Sequence, residues 1–155
     1  MVICAAKVSK KRVLLGVVLA AAAICAVLVL LRGDRTVPGA SAVLETNEDR
    51  VAYLGELGWE VEPEPVESLQ FLLPETLEEP YLSYNALQLP QGFDLGDYCG
   101  QQIARYTYKV LNYPDRPQGV QANLYVCGDR PVAGDILCPG ANGFQEPLIQ
   151  DRGET

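Results

Sequence analysis

Histidine is absent from all 155 residues. That removes the commonest general base and the commonest zinc ligand together, and no Cys–His or Ser–His nucleophile can be assembled without it. Basic side chains are scarce over most of the chain. Five of the 12 (Lys7, Lys10, Lys11, Arg12, Arg32) lie at or before position 32, where no acid falls. Residues 33–155 keep the other seven against all 20 acids, a formal charge of −13. Such a surface repels phosphate backbones, and no basic patch with interleaved aromatics offsets it, so direct nucleic-acid binding is not expected. The charge reads first as a solubility device. Lys109 is the only lysine beyond position 11, and no serine lies near it in sequence to make a Ser–Lys pair. A Gly-rich phosphate loop and paired-cysteine zinc spacing are both missing. The acids of "DLGD" (94–97) and Asp135 match no defined calcium loop and read as loop and turn acids. No catalytic residue, cofactor or metal site is therefore expected.

What is present begins with "KKRVLLGVVLAAAAICAVLVLLRG". Val13 to Leu31 is an uncharged run without proline, about 28 Å long as a helix and close to the ~30 Å hydrocarbon thickness. It predicts a transmembrane signal-anchor helix over 13–31, after a basic cytoplasmic segment 1–12. A cleaved signal is the first alternative, with "ASA" at 40–42 as its cleavage site. Lipid attachment at Cys25 is the second. The basic cluster at 7–12 outweighs Arg32 and Arg35, which places the N-terminus in the cytoplasm and the rest outside, a single-pass membrane location. Residues 32–45, rich in Gly, Pro and small residues, read as a stalk.

The outer domain is expected over 46–146, with 147–155 as a flexible tail. "TNEDRVAYLGELG" offers a capping Thr46, acids in a first turn, and Val51, Leu54 and Leu57 at helical spacing, with Gly58 as the stop. "WEVEPEPVESLQFLLP" is extended, and Pro63 and Pro65 keep its first half off a central strand. Val66–Leu72 can pair with one edge free. A second helix begins near Pro80, with Tyr81, Tyr84 and Leu87 on its apolar stripe. Residues 102–138 read as a three-stranded meander whose even positions are apolar: Tyr106, Tyr108, Val110, Val120, Leu124, Val126, Ile136 and Cys138 among them. The expected fold is α+β, two helices packed on one face of a small, mainly antiparallel sheet, preceded by the transmembrane helix. A three-residue turn near Gly128 keeps the faces matched, whereas a two-residue turn at Gly128–Asp129 would bury Asp135. Tyr106 and Tyr108 go to the core. The opposite face, Arg105, Thr107, Lys109, Asn123 and Tyr125, is the candidate binding surface, with a solvated face of cross-strand pairs as the plainer alternative.

Outside the apolar run stand Cys99, Cys127 and Cys138. This register sets Cys138 on the covered face and Cys127 on the wet one, so those two do not pair. A Cys99–Cys127 bridge needs a bent loop, and Cys138 reads as a buried thiol.

Five phrases occur together in order: "TNEDRVAYLGELGWEVEPEPVE" (46–67), "YNALQLPQGFDL" (84–95), "RYTYKVLNYP" (105–114), "ANLYVCGDRPVAGDILCP" (122–139) and "NGF" (142–144). In these the chain resembles the domain-of-unknown-function family numbered 4830, of Gram-positive gut-type bacteria, over about residues 45–146. The resemblance implies a compact α+β domain and an exported, anchored or lipid-linked location. It implies no activity, so no site residue is carried over. It also makes a disulfide less expected, and Pro80 departs from the family's helix.

The functional expectation is a membrane-anchored, non-enzymatic module that binds an extracytoplasmic protein, peptide or envelope component through the wet face or the Val66–Leu72 edge. Two other classes stand beside it. A small envelope hydrolase would need two carboxylates about 5–10 Å apart. A structural accessory subunit of a membrane complex would depend on its apolar helix as much as on its domain.

Overall fold

Thr46 marks the change from extended to helical chain, and its side chain explains why. Its Oγ1 accepts from the Asp49 N–H at 3.1 Å, while the Asp49 carboxylate accepts from the Thr46 N–H at 2.8 Å. This capping box satisfies donors that a helix start leaves over, and the Thr46 bonds hold the Asp49 carboxyl below its usual range. Helix α1 (Asn47–Glu56) stops at Gly58, whose φ of 88° suits glycine. Gly58 N–H reaches the Gly55 carbonyl and Trp59 N–H the Leu54 carbonyl, both at 2.9 Å, the paired bonds of a glycine-terminated helix.

The computed structural model describes residues 41–116 and 118–150. The cytoplasmic segment 1–12, the helix 13–31 and the Cys25 alternative lie outside these residues. Among the described residues no helix is long and apolar enough to cross a membrane.

Five strands follow α1: β1 (Glu67–Leu72), β2 (Gln102–Lys109), β3 (Gln121–Cys127), β4 (Arg130–Cys138) and β5 (Phe144–Pro147). They lie side by side in chain order, every pair antiparallel. Helix α2 (Tyr81–Gln88) falls in the long β1–β2 connection. The class is α+β, as expected.

The even positions do build a core. Tyr108, Val110, Leu124 and Ile136 are fully buried beneath Tyr53 and Leu54 of α1 and Trp59. Tyr106 is partly buried against the same cluster, its ring under the Arg50 guanidinium at 3.8 Å. Cys138 is buried here, and Cys99, Cys127 and Cys138 are all free thiols.

The expected single covered face is corrected. Ile103, Ala133 and Leu95 form a second core on the odd face, joined by Phe71, Tyr81 and Tyr84. The two helices therefore sit on opposite faces of the sheet. Alternation of polar and apolar residues suggests water on the odd face, but Thr107, Asn123 and Asp135 there are hydrogen-bonded in a chain and can be buried together.

The hairpin of β3 and β4 explains how the odd positions stay together. Its turn has two residues, with Cys127 opposite Arg130 and Gly128 at φ 63°, the Gly-X form of a tight hairpin. The register then shifts beside Tyr125 and Val126: Val126 faces Pro131, but Tyr125 faces Ala133. Val132 is the extra residue of a bulge, which cancels the parity change of the turn. Asp135 therefore faces Asn123, the match of faces expected, reached by a two-residue turn and a bulge in place of the three-residue turn, and it is fully buried because the odd face is covered.

Both ends of the expected domain also move. Leu44, in the expected stalk, is buried in the first core, and its N–H reaches the Asp129 carbonyl at 2.6 Å. In the expected flexible tail, Leu148 is buried in the same core, and its carbonyl accepts from Trp59 Nε1 at 2.8 Å. An isolated leucine in a polar tail gives no periodicity to read.

Candidate functional site

Helix α2 packs on the odd face, its Tyr84 reaching Tyr125 of β3 and Asp135 of β4, and leaves a groove of about 560 Å³ between itself and β1. Leu69, Phe71 and Leu73 form one wall, Pro80, Tyr81, Tyr84 and Leu87 the other. Arg105 and Tyr125 make the floor. The rings interlock: Phe71 meets Tyr125 edge-on at 6.3 Å, and Tyr84 lies tilted on Tyr125 at 5.3 Å. Such a mostly apolar cleft with few polar groups suits hydrophobic or aromatic ligand groups.

Beneath the groove lies a polar cluster centred on Asp135. The Tyr84 hydroxyl donates to Oδ1 at 2.6 Å, while Asn123 Nδ2 and Gln145 Nε2 donate to Oδ2 at 3.1 and 3.2 Å. Thr107 Oγ1 donates to Asn123 Oδ1 at 2.7 Å. Burial first, and then the Asp135 charge, push the Tyr84 and Tyr125 hydroxyls above their ordinary value of 10.0. Both stay neutral at physiological pH and can donate hydrogen bonds.

A second set of amides sets where α2 sits. Gln88 Oε1 accepts from the Gly134 N–H at 2.9 Å, and Gln91 Nε2 donates to the Gly134 carbonyl at 3.1 Å. Gln91 Oε1 accepts from the Ile149 N–H at 2.8 Å. These side chains occupy the β4 edge where β5 has ended, standing in for a strand. On the far side, Asn85 ties down the loop after α2: its Oδ1 accepts from Leu95 N–H at 2.8 Å and its Nδ2 donates to Asp94 at 2.9 Å.

The five residues of the expected surface separate into three places. Arg105 and Tyr125 line the groove, with Arg105 ion-paired to Glu67 on β1. Thr107 and Asn123 are buried in the Asp135 cluster. Lys109 lies toward the other end of β2, paired with Glu62 at 2.7 Å. Sequence reading missed Asp135 as a hub and Gln88 and Gln91 as anchors. The Gln88–Gln91 spacing of three was the available signal, since it sets both amides on one side of a helix.

Residues 53–136, from α1 into β4, match the family described as a domain of unknown function, DUF4830. The chain belongs to the DUF4830 family. No curated protein and no solved structure matches it. The DUF4830 match takes in both walls and the floor of the groove, including Leu69, Tyr84, Arg105 and Tyr125, but ends before β5.

Proposed function

We propose that this DUF4830 protein is a non-catalytic binding module that captures apolar or aromatic side chains of an extracytoplasmic protein or peptide in the groove between α2 and β1. Residues 13–31 act as its single-pass anchor in this reading, with the domain outside. The supporting observation is the groove itself, whose aromatic floor is preformed and open beside exposed Leu69. The apolar run of the sequence supports the anchor.

Photo-crosslinking in living cells tests the reading. A benzophenone side chain at Leu69 is expected to give one discrete adduct by mass spectrometry, absent with the probe at exposed Ala86 or Gln118. Equal labelling at all three positions, or none at Leu69, would overturn it.

A further inference from the structure

The two ends of the sheet are treated differently. At the β4–β5 end, β5 has four residues and includes Pro147, and the bare stretch of β4 at Gly134 is filled by the Gln88 and Gln91 amides. At the other end, β1 has six residues and, among the described residues, pairs only with β2. The Leu73 N–H points inward to the Gln101 carbonyl. By antiparallel alternation, the backbone groups of Ser68, Gln70 and Leu72 point outward. An outward row of that kind is a template for another strand.

Charge surrounds this edge on one side only. Residues 60–79 contain seven glutamates and no basic residue. Glu62 and Glu67 are compensated by Lys109 and Arg105. Glu60 and Glu64 before β1, and Glu75, Glu78 and Glu79 after it, have no ion-pair partner among the described residues. Pro63 and Pro65 lack the N–H that strand addition needs, so only Glu67–Leu72 can accept a strand.

Resting on the groove reading, we propose that the ligand is a cationic extended segment of another protein, added to β1 as a further strand. Its alternate side chains are apolar and lie against Leu69 and Phe71 toward the groove. Its lysines or arginines flank that core and meet Glu64 at one end and Glu75 at the other. A second copy of this chain is disfavoured as the occupant, because β1 against β1 would oppose two acidic edges.

The test uses the full-length chain in detergent and three blocked nonapeptides: KKVTFTVKK, QQVTFTVQQ and EEVTFTVEE. By fluorescence anisotropy at low salt, the lysine peptide is expected to bind about tenfold more tightly than the glutamine peptide. The glutamate peptide is expected to bind weakest, and added salt to narrow the differences. Gln70→Pro removes an outward N–H at a site where an edge strand tolerates proline, so it should abolish binding while circular dichroism stays unchanged. Equal affinity for the lysine and glutamate peptides would overturn the charge selection. Full binding by Gln70→Pro would overturn strand addition. In either case loss of binding in Leu69→Asp would leave the groove reading standing. No binding of any peptide to the unaltered chain overturns this inference, and the Leu69 crosslink then decides the groove separately.

Discussion

The Tyr84 hydroxyl on α2 donates a 2.6 Å hydrogen bond to Oδ1 of Asp135, a fully buried carboxylate on β4. Asp135 has no ion-pair partner among the described residues; its charge is met by three neutral donors, Tyr84, Asn123 and Gln145. Two of these donors, Tyr84 and Gln145, also line the groove, Tyr84 as part of its α2 wall. The groove's shape and the stability of α2 on the sheet thus both depend on Tyr84.

Tyr84→Phe is expected to destabilise the domain by about 1–3 kcal/mol, because it withdraws a donor from a buried charge. The corresponding fall in Tm is on the order of 10 °C. Alkali adds a second signature. Burial raises Tyr84 above its ordinary value of 10.0 in the folded chain, so above about pH 10 the unfolded state releases a proton the folded state keeps. That stability is fully present below pH 10 and declines as pH rises further. Denaturant titrations at pH 8 and 11 should show a smaller alkaline loss in Tyr84→Phe than in the unaltered chain. An equal loss would show that Tyr53, Tyr108 and Tyr125, also raised chiefly by burial, account for the whole effect.

Gly134 has two demands on it. Its backbone is held by Gln88 and Gln91 on the α2 side, and a Cβ there would run into Leu148 Cδ2 and come within 3.1 Å of the Asn123 carbonyl. Gly134→Ala should therefore cost about 1–3 kcal/mol through overpacking, read from the urea midpoint. Leu148→Ala in the same chain should relieve part of this, so the two changes together cost less than their sum.

Gln91 joins α2, β4 and the segment after β5 through one amide. Replacing it with leucine leaves the Gly134 carbonyl and the Ile149 N–H without that partner, at about 1–3 kcal/mol each if both stay dry. Hydrogen exchange should report this locally. The Ile149 amide is expected to exchange faster than in the unaltered chain, while Leu54 and Leu124 change only with global stability. Unchanged protection at Ile149 would mean another group takes over.

Much of the scaffold was legible because local rules and tertiary packing agree there. Thr46 and Gly58 bound α1, and the alternation through Tyr106, Tyr108 and Val110 marks one core face. The odd face misled for a physical reason. Thr107, Asn123 and Asp135 look like solvent-facing residues in an alternating strand, yet side-chain hydrogen bonds to one another and to Tyr84 and Gln145 allow them to be buried. Such pairings join positions 84, 107, 123, 135 and 145, and no periodicity within a single window contains them. The bulge at Val132 was hidden for a related reason, since the parity of a hairpin shows only when both strands are aligned.

The groove and the rest of the expected surface should respond differently to truncation. Tyr125 is held between Phe71 and Tyr84 at the groove floor, so Tyr125→Ala removes the ring both walls rest on. Buried aromatic anchors of this kind carry about 2 kcal/mol or more of a binding free energy. Lys109 sits outside the groove in a half-exposed pair with Glu62, where such pairs contribute about 0–1 kcal/mol. Tyr125→Ala should therefore weaken capture of the crosslinked partner more than tenfold, and Lys109→Ala less than threefold. Leu111→Ala, a truncation of an exposed leucine outside the groove, serves as the folding control. A stronger effect from Lys109→Ala than from Tyr125→Ala would move the binding surface to the acid-flanked end of β2, since the ring then supports the fold without meeting the ligand.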